Sequence, residues 1–263
     1  MQQKFTTNLP SELEPFRERI SATQVAYIRM KTNITSKPDW WQSKIGGYPY
    51  LPKHVDYPKN EHGEPLTFLA QINFELTPHL YPFPQTGILQ FYIGDADEYG
   101  LEELGTINQS NFRILYFPQI IWDVNWLTTS FPDLHHRDYS PLTDIASVLE
   151  ATLAHEAVST NDYQFEHLLG ANFFQQFGEQ KYTLYEEYQD VVSARGHKMG
   201  GYAYFVGRDP RDLDDPMMLL FQLDTDHQAG LAWGDSGVAN FFIREQDLLN
   251  LDFSRVLYNW DSY

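Results

Sequence analysis

The chain has 263 residues and a formal charge of −18, from 36 acidic residues against 18 lysines and arginines, a field that repels phosphate backbones and anionic membrane surfaces and so argues against nucleic-acid binding. It has no cysteine, which excludes disulfides, Cys-based zinc sites and thiol nucleophiles. No apolar run approaches the roughly 20 residues of a membrane span, and polar residues 1–10 lack the apolar segment of a secretory signal, so a cytoplasmic protein without membrane contact is expected.

Aromatic residues make up 16% of the chain and tilt the expectation toward half-buried strands. Ser11-Glu12-Leu13-Glu14 is a capping-box pattern that predicts a helix over residues 12–20, with Pro15 still in the first turn where a missing N–H costs least. Val25, Tyr27 and Arg29 alternate with Ala26, Ile28 and Met30, which predicts a strand over 24–31. Apolar runs predict strands at 66–74, 88–93 and 112–117. The loops before them are punctuated by Pro49, Pro52, Pro58 and Pro65, then by Pro78, Pro82 and Pro84. Residues 123–139 read as loop. Residues 145–158 are open to helix or strand; the alternation of Val148, Glu150 and Thr152 with Leu149, Ala151 and Leu153 favours a strand. Thr160 or Asn161 caps a predicted helix that carries Phe165, Leu168, Leu169 and Phe173 at helical spacing. A second helix over 179–194 ends in Arg195-Gly196. Strands at 218–223 and 238–243, a short helix at 244–251 and a closing strand at 253–260 complete the chain.

A repeat organises these elements. Lys44-Ile45-Gly46-Gly47-Tyr48-Pro49-Tyr50 recurs as Lys198-Met199-Gly200-Gly201-Tyr202-Ala203-Tyr204, 154 residues on. Leu69-Ala70-Gln71-Ile72-Asn73 is answered by Leu220-Phe221-Gln222-Leu223-Asp224, and the run from Gly87 to Ile93 by the run from Gly237 to Ile243, at spacings of 151 and 150. Three blocks in one order indicate an internal duplication. The expected architecture is mainly β, or α+β: antiparallel sheets built from two duplicated halves with a few peripheral helices. Residues 1–263 read as a single domain, with repeats at about 40–117 and 196–260 and a helical and loop connection between them.

The polar motifs favour structural roles. Gly234-Asp235-Ser236-Gly237 has the look of a serine-protease nucleophile motif, but no histidine context accompanies it, and turn chemistry explains it as well. Asp95, Asp97 and Gly100 start like a calcium loop that fails at Tyr99 and Thr106. His135, His136 and Asp138, and Asp224, Asp226 and His227, offer ligand types without metal-site spacing, so no metal and no cofactor are expected. Gln71 and Gln222 differ, because each is an amide inside an apolar strand and must find hydrogen-bond partners. Either each clamps its neighbouring Gly46-Gly47 or Gly200-Gly201 loop to the sheet, or a ligand cleft lies between the loops. In the second case Gly46, Gly47, Gln71, Gly200, Gly201, Gln222, Trp233 and Asp235 are the candidate binding residues.

The Gly-Gly-Tyr-Pro-Tyr-Leu-Pro run at 46–52, the Leu-Ala-Gln-Ile block at 69–72, the Gly-His-Lys-Met-Gly-Gly-Tyr run at 196–202, Asp209-Pro210-Arg211 and Trp233-Gly234-Asp235-Ser236-Gly237 together resemble the YwqG-like family of bacterial proteins. The resemblance covers most of the chain. It implies a mainly antiparallel β fold with peripheral helices and no particular activity; related domains near toxin loci imply an immunity or partner-binding role. The expectation is a non-enzymatic module that binds a protein partner or a small molecule. The alternative is a small-ligand enzyme or hydrolase with its site between the repeats.

Overall fold

The computed structural model describes residues 5–34, 38–95, 98–101, 107–131, 140–143 and 145–263. Ten strands form one antiparallel sheet, curled into a half-barrel. In chain order they are β1 (Val25–Ile34), β2 (Lys44–Ile45), β3 (Thr67–Asn73), β4 (Ile88–Ile93), β5 (Phe112–Phe117), β6 (Ser147–Glu156), β7 (His197–Gly200), β8 (Met218–Asp224), β9 (Val238–Ile243) and β10 (Leu257–Asp261). The helices are short: α1 (Arg17–Ser21), α2 (Phe165–Leu169), α3 (Lys181–Val191) and α4 (Glu245–Leu249). Among the described residues no helix is long and apolar enough to cross a membrane.

The strand order is β10-β9-β8-β7-β1-β6-β2-β3-β4-β5, which reads as two matching series on either side of the central β1/β6 pair. Each half gives its first strand to the other: β1 pairs with β7, and β6 pairs with β2. The duplication is therefore longer than the sequence blocks show and includes β1 and β6. Both halves carry a bulge at the same place, at Leu69 in β3 and at Leu220 in β8.

The strands that lie outermost but one, β4 and β9, are buried along their whole length, which accounts for apolar runs broken only by Gln90 and Asn240. Curling brings the inner faces of the two halves together. Phe91 lies with its ring 4.7 Å from that of Phe221 and 4.8 Å from that of Phe241, and Phe112 meets Tyr258 at 5.3 Å. A second core forms where α2, the 3-10 segment Phe173–Gln180 and α3 pack with Leu9, Leu13 and Ile20 over Tyr202 of the second half.

The expected single helix after Asn161 is broken. Gly170 adopts φ 86° and Asn172 φ 58°, so α2 ends at Leu169 and Phe173 begins a separate 3-10 turn. The closing strand starts at Leu257 rather than at 253. Strands β2 and β7, two and four residues long, escape a reading by periodicity because they lie inside the Gly-Gly blocks.

Candidate functional site

Gln71 and Gln222 are fully buried, and each is saturated by the loop beside it. Gln71 Oε1 accepts from the Tyr50 amide at 2.9 Å, while its Nε2 donates to the carbonyls of Trp40 (2.8 Å) and Gln42 (2.9 Å). Gln222 Oε1 accepts from the Tyr204 amide at 2.8 Å, and its Nε2 donates to Ala194 and Gly196, both at 2.8 Å. Every partner in the second half is 154 residues beyond its counterpart in the first. The next strand repeats the match: Gln90 Nε2 donates to the Tyr50 carbonyl and Asn240 Nδ2 to that of Tyr204. A buried amide left unpaired costs about 1–3 kcal/mol per group, so these two clamps fix the loop geometry.

The glycines let the loops approach the central strands. Gly46 and Gly47 have φ of 66° and 72°, and Gly200 and Gly201 of 66° and 75°. A Cβ at Gly47 would lie 3.0 Å from Ala146 Cβ, and one at Gly201 would lie 2.9 Å from Tyr27 Cβ and strike the Glu156 carboxylate.

The eight candidate residues fall in three places. Gly46, Gly47 and Gln71 sit together in the first half, and Gly200, Gly201 and Gln222 in the second. Gly200 pairs with Tyr27, whereas Ile45 pairs with Ser147, which in turn faces Ile34. The two Gly-Gly turns thus flank opposite ends of the β1/β6 pair, seven rungs or about 24 Å apart along it. Trp233 is buried in the inner core against Tyr99 and Trp260. Asp235 is exposed in a turn closed by the Gly237 amide on the Trp233 carbonyl, at 2.7 Å. Ser236 in the same turn has φ 68°, and among the described residues no histidine bonds to it. His135, His136 and Asp138, like Asp97 and Thr106, lie outside the described residues.

His197 and its acids form a closed network. Nδ1 accepts from the Asp224 amide at 3.1 Å, which leaves Nε2 as the proton-bearing nitrogen, 3.4 Å from Asp226 Oδ2. Burial lowers the His197 pKa, with Asp226 opposing. Burial also works to raise Asp226, but the Thr32 hydroxyl, the Ala229 amide and His197 outweigh it and hold this carboxyl low. Asp224 receives the amides of Gly196 and Thr225. Neither ring nitrogen of His197 is available as a base.

Two features went unread in the sequence. The first is a pair of buried lysines at equivalent positions, Lys44 and Lys198, each 1% exposed and paired across the ladder with Gln71 and Gln222. Lys198 Nζ bonds both oxygens of Glu156, at 2.8 and 2.9 Å, and Glu156 Oε1 also accepts the Tyr202 amide at 2.8 Å. Burial pushes the Glu156 pKa up and the Lys198 pKa down, and each partner opposes the other's shift. Lys44 donates to the Asp39 carbonyl at 2.8 Å and lies 5.9 Å from the Trp40 ring. Burial lowers its pKa from 10.5 to about 7, with the Asp39 charge opposing. The signal was present: a lysine inside an otherwise apolar repeated block.

The second feature is an aromatic face on the first half. Trp41 stacks on Trp122 with centroids 5.6 Å apart, and Tyr48 stacks on Phe131 at 5.4 Å with Trp40 beside both. Within this cluster Trp122 is 54% and Tyr48 45% exposed. Tyr202, the counterpart of Tyr48, is 3% exposed beneath the helical layer. A comparison with family models matches residues 43–262 to a domain of unknown function, DUF1963. No curated protein matches the chain.

Proposed function

The chain belongs to the DUF1963 family, and we propose that it acts as a non-enzymatic binding module that holds a protein partner on the aromatic face of its first half. The observation that carries this reading is the contrast between equivalent positions. In the second half, Tyr202 and Ala194 lie under α2, α3 and the segment between them. In the first half, Tyr48 and Trp122 are exposed, and Trp40, Trp41 and Phe131 beside them are half-buried. Exposed, clustered tryptophans and tyrosines mark interfaces, because they bring large contact area at little cost in side-chain entropy. The occupant we infer is a partner segment with an apolar helical face, doing for the first half what α3 does for the second. The charge of −18 steers a partner with a basic rim. The exchange of β1 and β6 between the halves supports reading residues 1–263 as one domain. The YwqG-like resemblance supports the finer reading, a cytoplasmic partner-binding role of immunity type.

A photo-cross-linking residue tests the reading directly. Placed at Trp122 it gives one discrete adduct in native lysate; placed at Tyr182, 71% exposed on α3, it does not. No adduct at Trp122, or the same adducts at both positions, overturns the proposal.

A small-ligand site is the second reading. It has in its favour a cavity of about 1010 Å³ beside the C-terminal end of α3, lined by Arg195, Tyr204, Arg208 and Tyr263. Stabilisation by a metabolite that rises with its concentration, and is lost in Arg195→Ala, would favour it.

A further inference from the structure

We propose that the cavity beside α3 binds a phosphate monoester carried on a planar ring, with Arg195 and Arg208 holding the phosphate. The proposal rests on the small-ligand reading of that cavity and names its ligand; it does not depend on the aromatic face.

The two-fold match supplies the argument. Arg195 stands between Ala194 and Gly196, whose carbonyls Gln222 holds, and Tyr204 gives the amide that closes the same clamp. Trp41 and Tyr50 hold these places in the first half, on the loops that Gln71 clamps. There the chain covers them with its own residues. Trp41 stacks on Trp122 and donates its Nε1–H to the Ile121 carbonyl at 2.8 Å, and the Tyr50 hydroxyl accepts the Ile121 amide at 2.8 Å. Leu51 and Pro52 are tied to Thr128 and Leu127. In the second half the counterparts Arg195, Tyr204, Phe205 and Val206 line the cavity of about 1010 Å³, and all of its lining lies among the described residues. A tryptophan that plugs one half is an arginine on a cavity wall in the other.

The chemistry of the wall names the ligand. The Arg195 guanidinium lies on the Tyr204 ring, with Cζ 4.6 Å from its centroid, and donates to the Tyr263 hydroxyl at 3.2 Å. Most of its N–H donors stay open. Arg195 and Arg208 are both exposed, and among the described residues neither has a carboxylate within ion-pair distance. Arg211 in the same wall is buried and spent on Asp162 and Asp209, which leaves Asp190 as the lining carboxylate that opposes an anion. Two open guanidinium forks on one cavity suit a phosphate, with its higher charge and its set of terminal oxygens, better than a carboxylate. Elsewhere on the wall Gln189 Nε2 donates to Asn161 Oδ1 at 2.7 Å and to the Tyr185 hydroxyl at 3.2 Å. The Gln189 carbonyl oxygen then remains as an acceptor, and the Tyr185 O–H as a donor, for the polar edge of a ring. The volume suits a ligand of mononucleotide size.

The test titrates the full ¹⁵N-labelled chain with adenosine monophosphate and phenyl phosphate, with adenosine and phenol as their neutral matches, and with benzoate as a carboxylate. The two phosphates are expected to raise Tm increasingly with concentration. They are also expected to shift the amides of Gln189, Arg195 and Arg208 in NMR spectra and to leave those of Trp41 and Tyr50, at the filled position, unmoved. Arg195→Gln and Arg208→Gln are each expected to weaken binding about tenfold, and Asp190→Asn to tighten it several-fold. All three side chains are exposed, so the unliganded variants are expected to keep the native Tm. Adenosine or benzoate acting as strongly as the phosphates overturns the phosphate assignment and leaves a small-ligand site standing. No response to any probe, or phosphate binding that survives unchanged in both arginine variants, overturns the proposal. Neither result touches the partner reading, which cross-linking at Trp122 decides separately.

Discussion

Replacing Lys44 with methionine is expected to stabilise the fold at neutral pH, although it deletes a buried side chain's hydrogen bond. In the unfolded chain the lysine keeps its proton up to about pH 10.5; in the fold it gives the proton up above about 7. Between these values the unfolded state binds more protons, so stability rises with pH across that window. Below pH 7 the full penalty of the buried charge is present; by pH 10.5 it is gone. A depression from 10.5 to about 7 corresponds to a penalty on the order of 5 kcal/mol at neutral pH. The bond to the Asp39 carbonyl and the contact with Trp40 each return about 1 kcal/mol. Methionine fills similar volume without charge. The expected net gain for Lys44→Met is therefore roughly 2–4 kcal/mol at pH 7. Urea unfolding of both proteins at pH 6 to 10 measures it, and groups common to both cancel in the difference. The gain is expected to be largest at pH 6–7 and to shrink steadily toward pH 10. A variant no more stable than the native chain at pH 7, or a difference that does not change with pH, refutes the reasoning about Lys44.

Glu156→Gln is expected to lose about 3–5 kcal/mol, because Lys198 is left buried without its counter-charge, and Glu156→Gln with Lys198→Met recovers most of that loss; urea midpoints of the three proteins decide it. Gln71→Leu and Gln222→Leu each orphan an amide and two carbonyls and are expected to cost roughly 2–4 kcal/mol. Their effects add in the double variant, since the clamps share no partner and stand far apart. Trp126→Ser is expected to leave stability within about 0.5 kcal/mol, because the side chain is mostly in solvent; a larger loss in thermal unfolding would mean that this side chain is a structural part of the first half.

Much of the architecture was legible because the physics that sets it is local or repeated. Mostly apolar runs such as residues 88–93 and 238–243 name buried strands, and the alternation in 147–156 names β6 despite a helix-like start. The clamp glutamines were legible because a polar residue in such a run must be bonded, and the repeat pointed to the loops that bond it. The exchange of β1 and β6 was not legible. Long-range pairing leaves no trace in periodicity, and the two strands share little sequence. The candidate cleft depended on the two Gly-Gly loops being neighbours, and only the strand order could show that the central pair separates them. The aromatic face was hidden for a different reason. Trp40, Trp41, Trp122 and Trp126 read as loop or core residues in a chain this rich in aromatics, and exposure is a property of what lies above them.

The claim on which most depends is that the first half carries an aromatic face that is exposed among the described residues, whose counterpart in the second half is covered by the chain's own helices. Hydroxyl-radical footprinting of the protein, purified and then in native lysate, measures it at single residues. The expected result is strong oxidation of Trp122 and Tyr48 in the purified protein, falling sharply in lysate, with Tyr202 protected in both and Tyr182 oxidised in both. Equal oxidation of Trp122 and Tyr48 in the two samples contradicts a partner on that face, and protection of both already in the purified protein contradicts the face itself.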